Sequence, residues 1–385
     1  DLVRSRGLGD VYKRQAGAYV FMRITWYIQP WTLQGVPGLE VVYVIALFIG
    51  LLSGLYGALC ALGMLERKVL LAATTMSSLG LMFGATAASY WLDITVHEGI
   101  NLAVLVGFWY LATHAFAKAT LFLVSGHLIH ATHSRFSVGD LELGKKMKAG
   151  FGATLIATTF LVGIPPLTAY WVKSSMDVVM EHLMLIYSIV PLILLLATSI
   201  TYSAVLARFT STNFIKGEKP HKTHLEGGSL MKAGYLMMVA VLFVIFYLIF
   251  TRSELTEFVH AGLEPLSIAV GILVLASYGI AIYKPRLPSL QKLATFLSDR
   301  MYFPFLNDYL CPKIGFFFSH IFDQYANRGL DGFYNTKVVP NLFGSISKGI
   351  RAIQTGYMQT YVRIVLSLVM MFLLIASIAV GVMLL

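Results

Sequence analysis

The chain has 385 residues, of which 57% are apolar and only 12% charged, with a mean hydropathy of +0.73. Soluble proteins carry ~25% charged residues, so this composition points to an integral membrane protein and away from a soluble globular enzyme. The net charge of +10 would suit a nucleic-acid partner, but its distribution along the chain, set out below, excludes that reading. Cys60 and Cys311 are isolated, with no CxxC or Cys/His cluster, and no GxGxxG follows a plausible strand. Neither a metal site, an iron–sulfur cluster nor a dinucleotide site is encoded, and no cofactor is expected.

In chain order, residues 1–15 (DLVRSRGLGDVYKRQ) are polar and basic, and they run without a loop into AGAYVFMRITWY, which reads as the tail of a helix. The segment is similar to translated sequencing-adapter readthrough and is expected to be a non-native artefact. The first span is then 16–27, ~12 residues and too short to cross a bilayer, so the chain is expected to be the C-terminal part of a longer protein. Further apolar runs at 41–62, 70–90, 101–129, 150–180, 184–208, 231–250, 266–283 and 361–385 predict membrane-spanning helices. Trp26, Trp31, Trp91 and Trp171 lie near run ends, as interfacial aromatics do. The small-xxx-small pairs Gly50/Gly54 and Gly80/Gly84 predict close helix packing.

The connections alternate in charge. Arg67, Lys68, Arg135, Lys145, Lys146, Lys148, Arg208, Lys216, Lys219, Lys222, Lys232, Lys284, Arg286 and Lys292 fall on one side. The intervening connections hold only Lys173 and Arg252, beside acidic residues such as Asp93, Glu98, Asp177, Glu181, Glu254 and Glu264. The basic side is therefore expected to be cytoplasmic, and the positive charge reports topology. Residues 287–358 are too long for an ordinary loop. Phe316, Phe317, Ile321, Tyr325 and then Phe343, Ile346, Ile350 and Ile353 recur at helical steps, with Lys348 and Arg351 opposite. That pattern predicts helices lying along a membrane surface or across partner helices, interrupted around 327–335 where Gly329, Asp331 and Gly332 weaken helical propensity.

Two lysines stand inside the apolar runs. Residues 108–129 hold Lys118 and no other formally charged side chain, and Lys173 follows the run 151–172. A lysine at the bilayer centre costs roughly 2.5–3.5 kcal/mol on insertion scales, and such residues usually mark an ion or proton path. Tyr110, His114 and Lys118 are spaced i, i+4, i+8 and so share one helix face, with Ser125 two turns further. A lysine that hands on its proton needs a site that penalises the ammonium, which burial supplies, and a histidine beside it can take and return that proton. The bland alternative is a lone lysine hydrogen-bonded for packing. Pro165-Pro166 predict a helix break about seven residues before Lys173, leaving carbonyls free to bind water; the alternative is a lysine snorkelling from a helix end. Lys68, with Glu66 and Arg67, is either a topology anchor or a cytoplasmic proton-uptake residue. His130 can extend the water path, while His127, His130 and His133 lack the companion ligands of a zinc site.

These residues carry a family resemblance. WYLATHAFAKATLFLVSGHLIHATH (109–133) resembles the THAFFKALLFL helix of the proton-pumping, antiporter-like membrane subunits of respiratory complex I. IPPLTAYWVKSSMDVV (164–179) resembles their discontinuous helix with its second lysine, and ERKVLLAATTMSSLGLMFGAT (66–86) their KRxLAYSTxSQxGYM helix. RAIQTGYMQTYVRIV (351–365) is similar to the QTGxxxxY start of the final helix in the chain L (chain 5) type, and 287–358 falls where that type carries its lateral helix. The resemblance implies an all-α integral membrane protein: a multi-span helical bundle with one discontinuous helix, an amphipathic lateral segment and a final transmembrane helix. The implied organisation is the end of a first repeat at 16–40, a second five-helix repeat at 41–209, two additional spans at 210–286, the lateral segment at 287–358 and the last helix at 359–385. It implies a proton-translocating subunit of a complex-I-like NADH (or other donor):quinone oxidoreductase, with no redox cofactor or catalytic site of its own. Its path would run through Lys118, Lys173, His114, Tyr110, Lys68 and His130. Its partners would be the other membrane subunits of the complex, chiefly the adjacent antiporter-like subunit, with the lipid bilayer and protons, in a prokaryotic plasma membrane or organellar inner membrane.

The sequence departs from the family at two places. Tyr110 stands where a second histidine is common, and Ser174 and Ser175 stand where acidic residues follow the second lysine, leaving Asp177 one turn on as a substitute. The rival readings are a Mrp-type cation/proton antiporter or membrane-bound hydrogenase subunit, a solute carrier built on a broken helix, and a structural clamp with inert lysines.

Overall fold

The computed structural model describes residues 8–32, 38–91, 95–96, 100–136, 143–165, 167–186, 188–215, 229–251, 255–284, 295–297, 299–302, 305–324, 332–333, 337–353 and 358–383. The contact pattern divides the chain into two compact units, Asp1–Phe303 and Pro304–Leu385.

The first unit contains α1 (Leu8–Thr32), α2 (Leu39–Gly63), α3 (Arg67–Ala88), α4 (Leu102–Thr132), α5 (Lys148–Val162), α6 (Thr168–Ile186), α7 (Val190–Thr210), α8 (Ser229–Thr251), α9 (Leu255–Leu263) and α10 (Pro265–Tyr283). A two-residue antiparallel pair, β1 (Thr95–Val96) with β2 (Ile100–Asn101), precedes α4. Asn101 then caps α4, its Oδ1 accepting from the Ala103 amide at 2.9 Å. Among the described residues six helical segments are long and apolar enough to cross a membrane: Leu39–Gly63, Arg67–Ala88, Leu102–Thr132, Val190–Ile215, Ser229–Ile249 and Pro265–Tyr283. The predicted span 150–180 is the pair α5 and α6. Helix α5 stops at Val162, and Gly163 takes φ 82°, a left-handed turn that glycine adopts without strain.

Two features differ from the sequence expectation. Helix α1 runs back to Leu8, through part of the segment set aside as an artefact, so the helix is longer than 16–27. The connection 251–265 holds α9, too short to span. Its Phe258 and Ala261 are buried, and Gly262 meets Tyr170 and Trp171 of α6.

Helices α2 and α3 meet along glycine. A Cβ placed on Gly80 would lie 2.5 Å from the Gly50 carbonyl oxygen and 2.5 Å from the Gly54 nitrogen, so only glycine allows this approach. The interior then sorts into two apolar clusters. One gathers Leu70, Leu71, Leu121, Phe160, Leu206 and Val239; the other gathers Leu47, Leu81, Ala85, Val106, Val172 and Leu192. Between them, along each of three helices, the buried side chains turn polar: Thr74, Thr75, Ser77 and Ser78 of α3, Thr113 and His114 of α4, Thr198 and Ser199 of α7. The molecule has a polar layer between two greasy ones.

The second unit holds a π-helical turn, Leu306–Leu310, continuing into α11 (Cys311–Phe322), then α12 (Val339–Ile353) and α13 (Met358–Met383). Helices α11 and α12 are where the three- and four-residue apolar spacing predicted them. Phe316, Phe317, Phe343, Ile346 and Ile350 are exposed within this unit. The predicted interruption at 327–335 lies outside the described residues except for Gly332 and Phe333.

Candidate functional site

The polar layer is where the two lysines come together. Lys118 is fully buried, and its Nζ donates to Thr74 Oγ1 at 2.5 Å and to the Leu71 carbonyl at 3.3 Å. Neither partner carries charge. The Leu71 carbonyl also accepts from Thr74 and Thr75 hydroxyls, so α3 offers Lys118 a cluster of oxygens already in use.

Lys173 arrives from the other side of the break. Its Nζ donates to the Val162 carbonyl at 3.3 Å. In an unbroken helix that carbonyl would accept from the amide of residue 166, which is proline and has none. The broken helix thus supplies the acceptor that seats its own lysine. A cavity of about 20 Å³ opens beside Lys173, lined among others by Tyr170, Ser174, Asp177, Ser199 and Ser267. Room for one water needs about 10–15 Å³, so the cavity is water-sized. Asp177 is buried on the same wall, one helical turn from Lys173. Of the serines that replace the family's acidic residues, Ser175 Oγ donates to the Trp171 carbonyl at 3.1 Å, while Ser174 lines the cavity and its backbone carbonyl accepts from Ser267 at 3.2 Å.

Both lysines approach the ring of Tyr202 of α7, which is fully buried. Lys118 Nζ is 5.6 Å from its ring centroid and Lys173 Nζ 5.2 Å. Lys173 Nζ is also 5.7 Å from the ring of Tyr110. His114, one turn from both Tyr110 and Lys118, is fully buried with Nδ1 at 3.4 Å from Gln15 Nε2; its Nε2 has no hydrogen-bond partner. The buried hydroxyls of Ser77 and Ser125 are likewise unpartnered. Buried polar groups find partners in about nine cases of ten, so the unpartnered Ser77 hydroxyl and His114 Nε2 within this layer mark it as suited to water.

Lys118, Lys173, His114 and Tyr110 are thus brought to one place. Lys68 and His130 are not: both are exposed, Lys68 at the start of α3 and His130 in the last turn of α4. Beside Lys68, Arg67 is buried instead. Its Nε donates to Asn213 Oδ1 at 2.7 Å and its Nη1 to the Ser134 carbonyl at 2.7 Å. Sequence spacing missed Tyr202 and Arg67. The signal for Tyr202 was present: Thr198 and Tyr202, like Ser199 and Ser203, recur at i, i+4 within an otherwise apolar run. Among the described residues no group of three or more His, Cys, Asp or Glu side chains is placed to hold a metal ion.

Residues 14–201 match the family described as NADH:quinone oxidoreductase/Mrp antiporter, TM. Similar curated proteins include NADH-quinone oxidoreductase subunit L of Rickettsia felis, 36% identical over 33% of this chain and 18% of that one. NADH-ubiquinone oxidoreductase chain 5 of Myxine glutinosa is 33% identical over 38% of this chain and 22% of that one. Chain 5 of Rhinoceros unicornis is 26% identical over 82% of this chain and 52% of that one. The chain spans about half the length, or less, of the curated relatives it matches. The six helices among the described residues that are long and apolar enough to cross a membrane, with the match to this transmembrane family, make it a multi-pass integral membrane protein. Through residues 14–201, just under half of its length, the chain is similar to the NADH:quinone oxidoreductase/Mrp antiporter transmembrane family.

Proposed function

We propose that the chain is a proton-translocating membrane subunit of a complex-I-like NADH (or other donor):quinone oxidoreductase. It binds no redox cofactor and moves protons through Lys118, Lys173, His114, Tyr110 and water. The carrying observation is the convergence of Lys118 and Lys173 on one buried tyrosine in a polar layer, with no anionic partner on Lys118 among the described residues. Both ammonium nitrogens lie within 6 Å of that ring's centroid, so about 11 Å at most separates them. Two charges at that distance repel by about 1.5 kcal/mol at an effective dielectric constant near 20. One proton shared along the pair is therefore cheaper than two held at once, which suits hand-over from one lysine to the next. Asp177, on the wall of the water-sized cavity beside Lys173, is the acceptor on the far side of that lysine. His114 adds a second protonatable group one turn from Lys118.

The relatives named as subunit L and chain 5, together with the amphipathic helices of 287–358, favour this reading over a Mrp-type antiporter subunit, which the family also takes in. In the proposed assembly the subunit's neighbours are the other membrane subunits of the complex, chiefly the adjacent antiporter-like one. Helices α11 and α12 rest on the cytoplasmic side of the membrane against it. The test is Lys118→Ala and Lys173→Ala in the full-length subunit within its complex, reading proton uptake by sealed vesicles and assembly on native gels. The expected result is at least a tenfold loss of pumping with the complex still assembled. Near-normal pumping by both variants would reduce the lysines to packing residues.

A further inference from the structure

Four helices deliver one group each to the centre of the polar layer: Lys118 from α4, Lys173 from α6, Tyr202 from α7 and Ser78 from α3. The Tyr202 hydroxyl is held by Ser78 Oγ at 2.9 Å, which fixes the ring from its far edge. Both lysine nitrogens fall within the ~6 Å at which a cation is drawn to an aromatic face. That attraction acts on an ammonium through the ring's negative face and has no counterpart for a neutral amine. A ring within reach of two amines that share a proton therefore interacts differently with each of them as the proton moves.

We infer that Tyr202 is the positioning residue of the lysine line: its ring seats whichever of Lys118 and Lys173 carries the proton and releases the one that has given it up. In the transfer the proton leaves the ammonium of one lysine and is taken up by the neutral amine of the other, through water; the Tyr202 hydroxyl neither gains nor loses one. The inference rests on the reading of Lys118 and Lys173 as the carriers. It assigns the role to the ring, with the hydroxyl serving only to anchor it on Ser78.

The experiment replaces Tyr202 by phenylalanine and then by phenylalanines bearing one, two and three ring fluorines, in the full-length subunit within its complex. Fluorine weakens the ring's attraction for a cation while nearly preserving its shape, so assembly on native gels should be unchanged. Tyr202→Phe is expected to keep pumping within about twofold, and the fluorinated rings to lower it stepwise, reaching about tenfold with three fluorines. A flat response to fluorination overturns the inference, as does a Tyr202→Phe loss as deep as that of Lys118→Ala. Lys118→Ala and Lys173→Ala are measured in parallel. If they pump normally, the carrier reading itself fails; if they fail to pump while fluorination changes nothing, only the role of Tyr202 falls.

Discussion

Two kinds of buried or half-buried cation occupy different levels of the first unit. At the end where α2 and α7 finish and α3 begins, Arg67 and Arg208 are tied to fixed oxygens. Arg67 reaches Asn213 and the Ser134 carbonyl, and Arg208 reaches the carbonyls of Leu62, Ala61 and Met64. In the polar layer, Lys118 has one hydroxyl and one carbonyl, and Lys173 has one carbonyl. A guanidinium cannot lose its charge in a protein and presents a planar fork of donors, whereas an ammonium is a point charge on a flexible stem that can give up its proton. The arginines hold helix ends in register, Arg67 joining α3 to the segments after α7 and after α4, and Arg208 joining α7 to the end of α2. The lysines are held loosely enough to change state. Burial alone does not separate structural cations from working ones; whether the group can give up its proton does.

The sharpest way to break that contrast is to put the structural cation where the working one stands. Lys118→Arg keeps a positive charge and removes the ability to release a proton. It is expected to abolish pumping, by at least tenfold in vesicle assays, while the complex assembles. Pumping by this variant would show that charge, and not proton release, is what position 118 supplies.

The converse change lies at the other level. Arg67→Ala strands the buried Asn213 amide oxygen and takes a donor from the half-buried Ser134 carbonyl, and a destabilisation of about 2–4 kcal/mol follows from lost charge-assisted hydrogen bonds. It should appear as a lower melting temperature and reduced assembled complex, with pumping per assembled complex near normal. Its exposed neighbour supplies the control: Lys68→Ala is expected to change stability by less than about 0.5 kcal/mol and to leave pumping unaltered. A pumping defect confined to Lys68→Ala would restore the proton-uptake role that its sequence position suggested.

The smallest effect is expected at Tyr110. Its ring centroid lies 6.5 Å from that of His114, one turn away on the same face. Tyr110→His places a second titratable ring there and should keep pumping within about threefold, as neutral-pH proton carriers go. Loss of pumping with intact assembly would show that the tyrosine ring beside Lys173 has a role of its own.

Much of this arrangement was legible from spacing. The face shared by Tyr110, His114 and Lys118 follows from helical periodicity, and the break before Lys173 follows from two prolines that remove consecutive backbone donors. What spacing could not give was partnership across the chain. Arg67 and Lys68 are adjacent cations at one helix start, and the choice of which is buried is made by Asn213, 146 residues away. Tyr202 in an apolar run reads as core until the lysines are seen converging on it. Asp177 could be placed on the Lys173 helix by counting, but its share in the same cavity depends on α7 and α10 closing the other walls. Local rules name the groups; tertiary packing decides which of them meet.

The glycine seam between α2 and α3 also bears on how the chain enters a bilayer. Helix α3 begins at a buried arginine and carries several hydroxyls into the polar layer, so its own tendency to partition into lipid is weak for its length. Helix α2 is almost wholly apolar, and only residues 64–66 separate the two. With backbones able to touch at Gly50 and Gly80, the pair can leave the translocation machinery as a single helical hairpin. The apolar member then offsets the cost of the polar one, while Thr74 and Ser78 meet their partners only when α4 and α7 arrive. A bulky residue in that seam would therefore act first on biogenesis, at the step where the polar helix needs its escort.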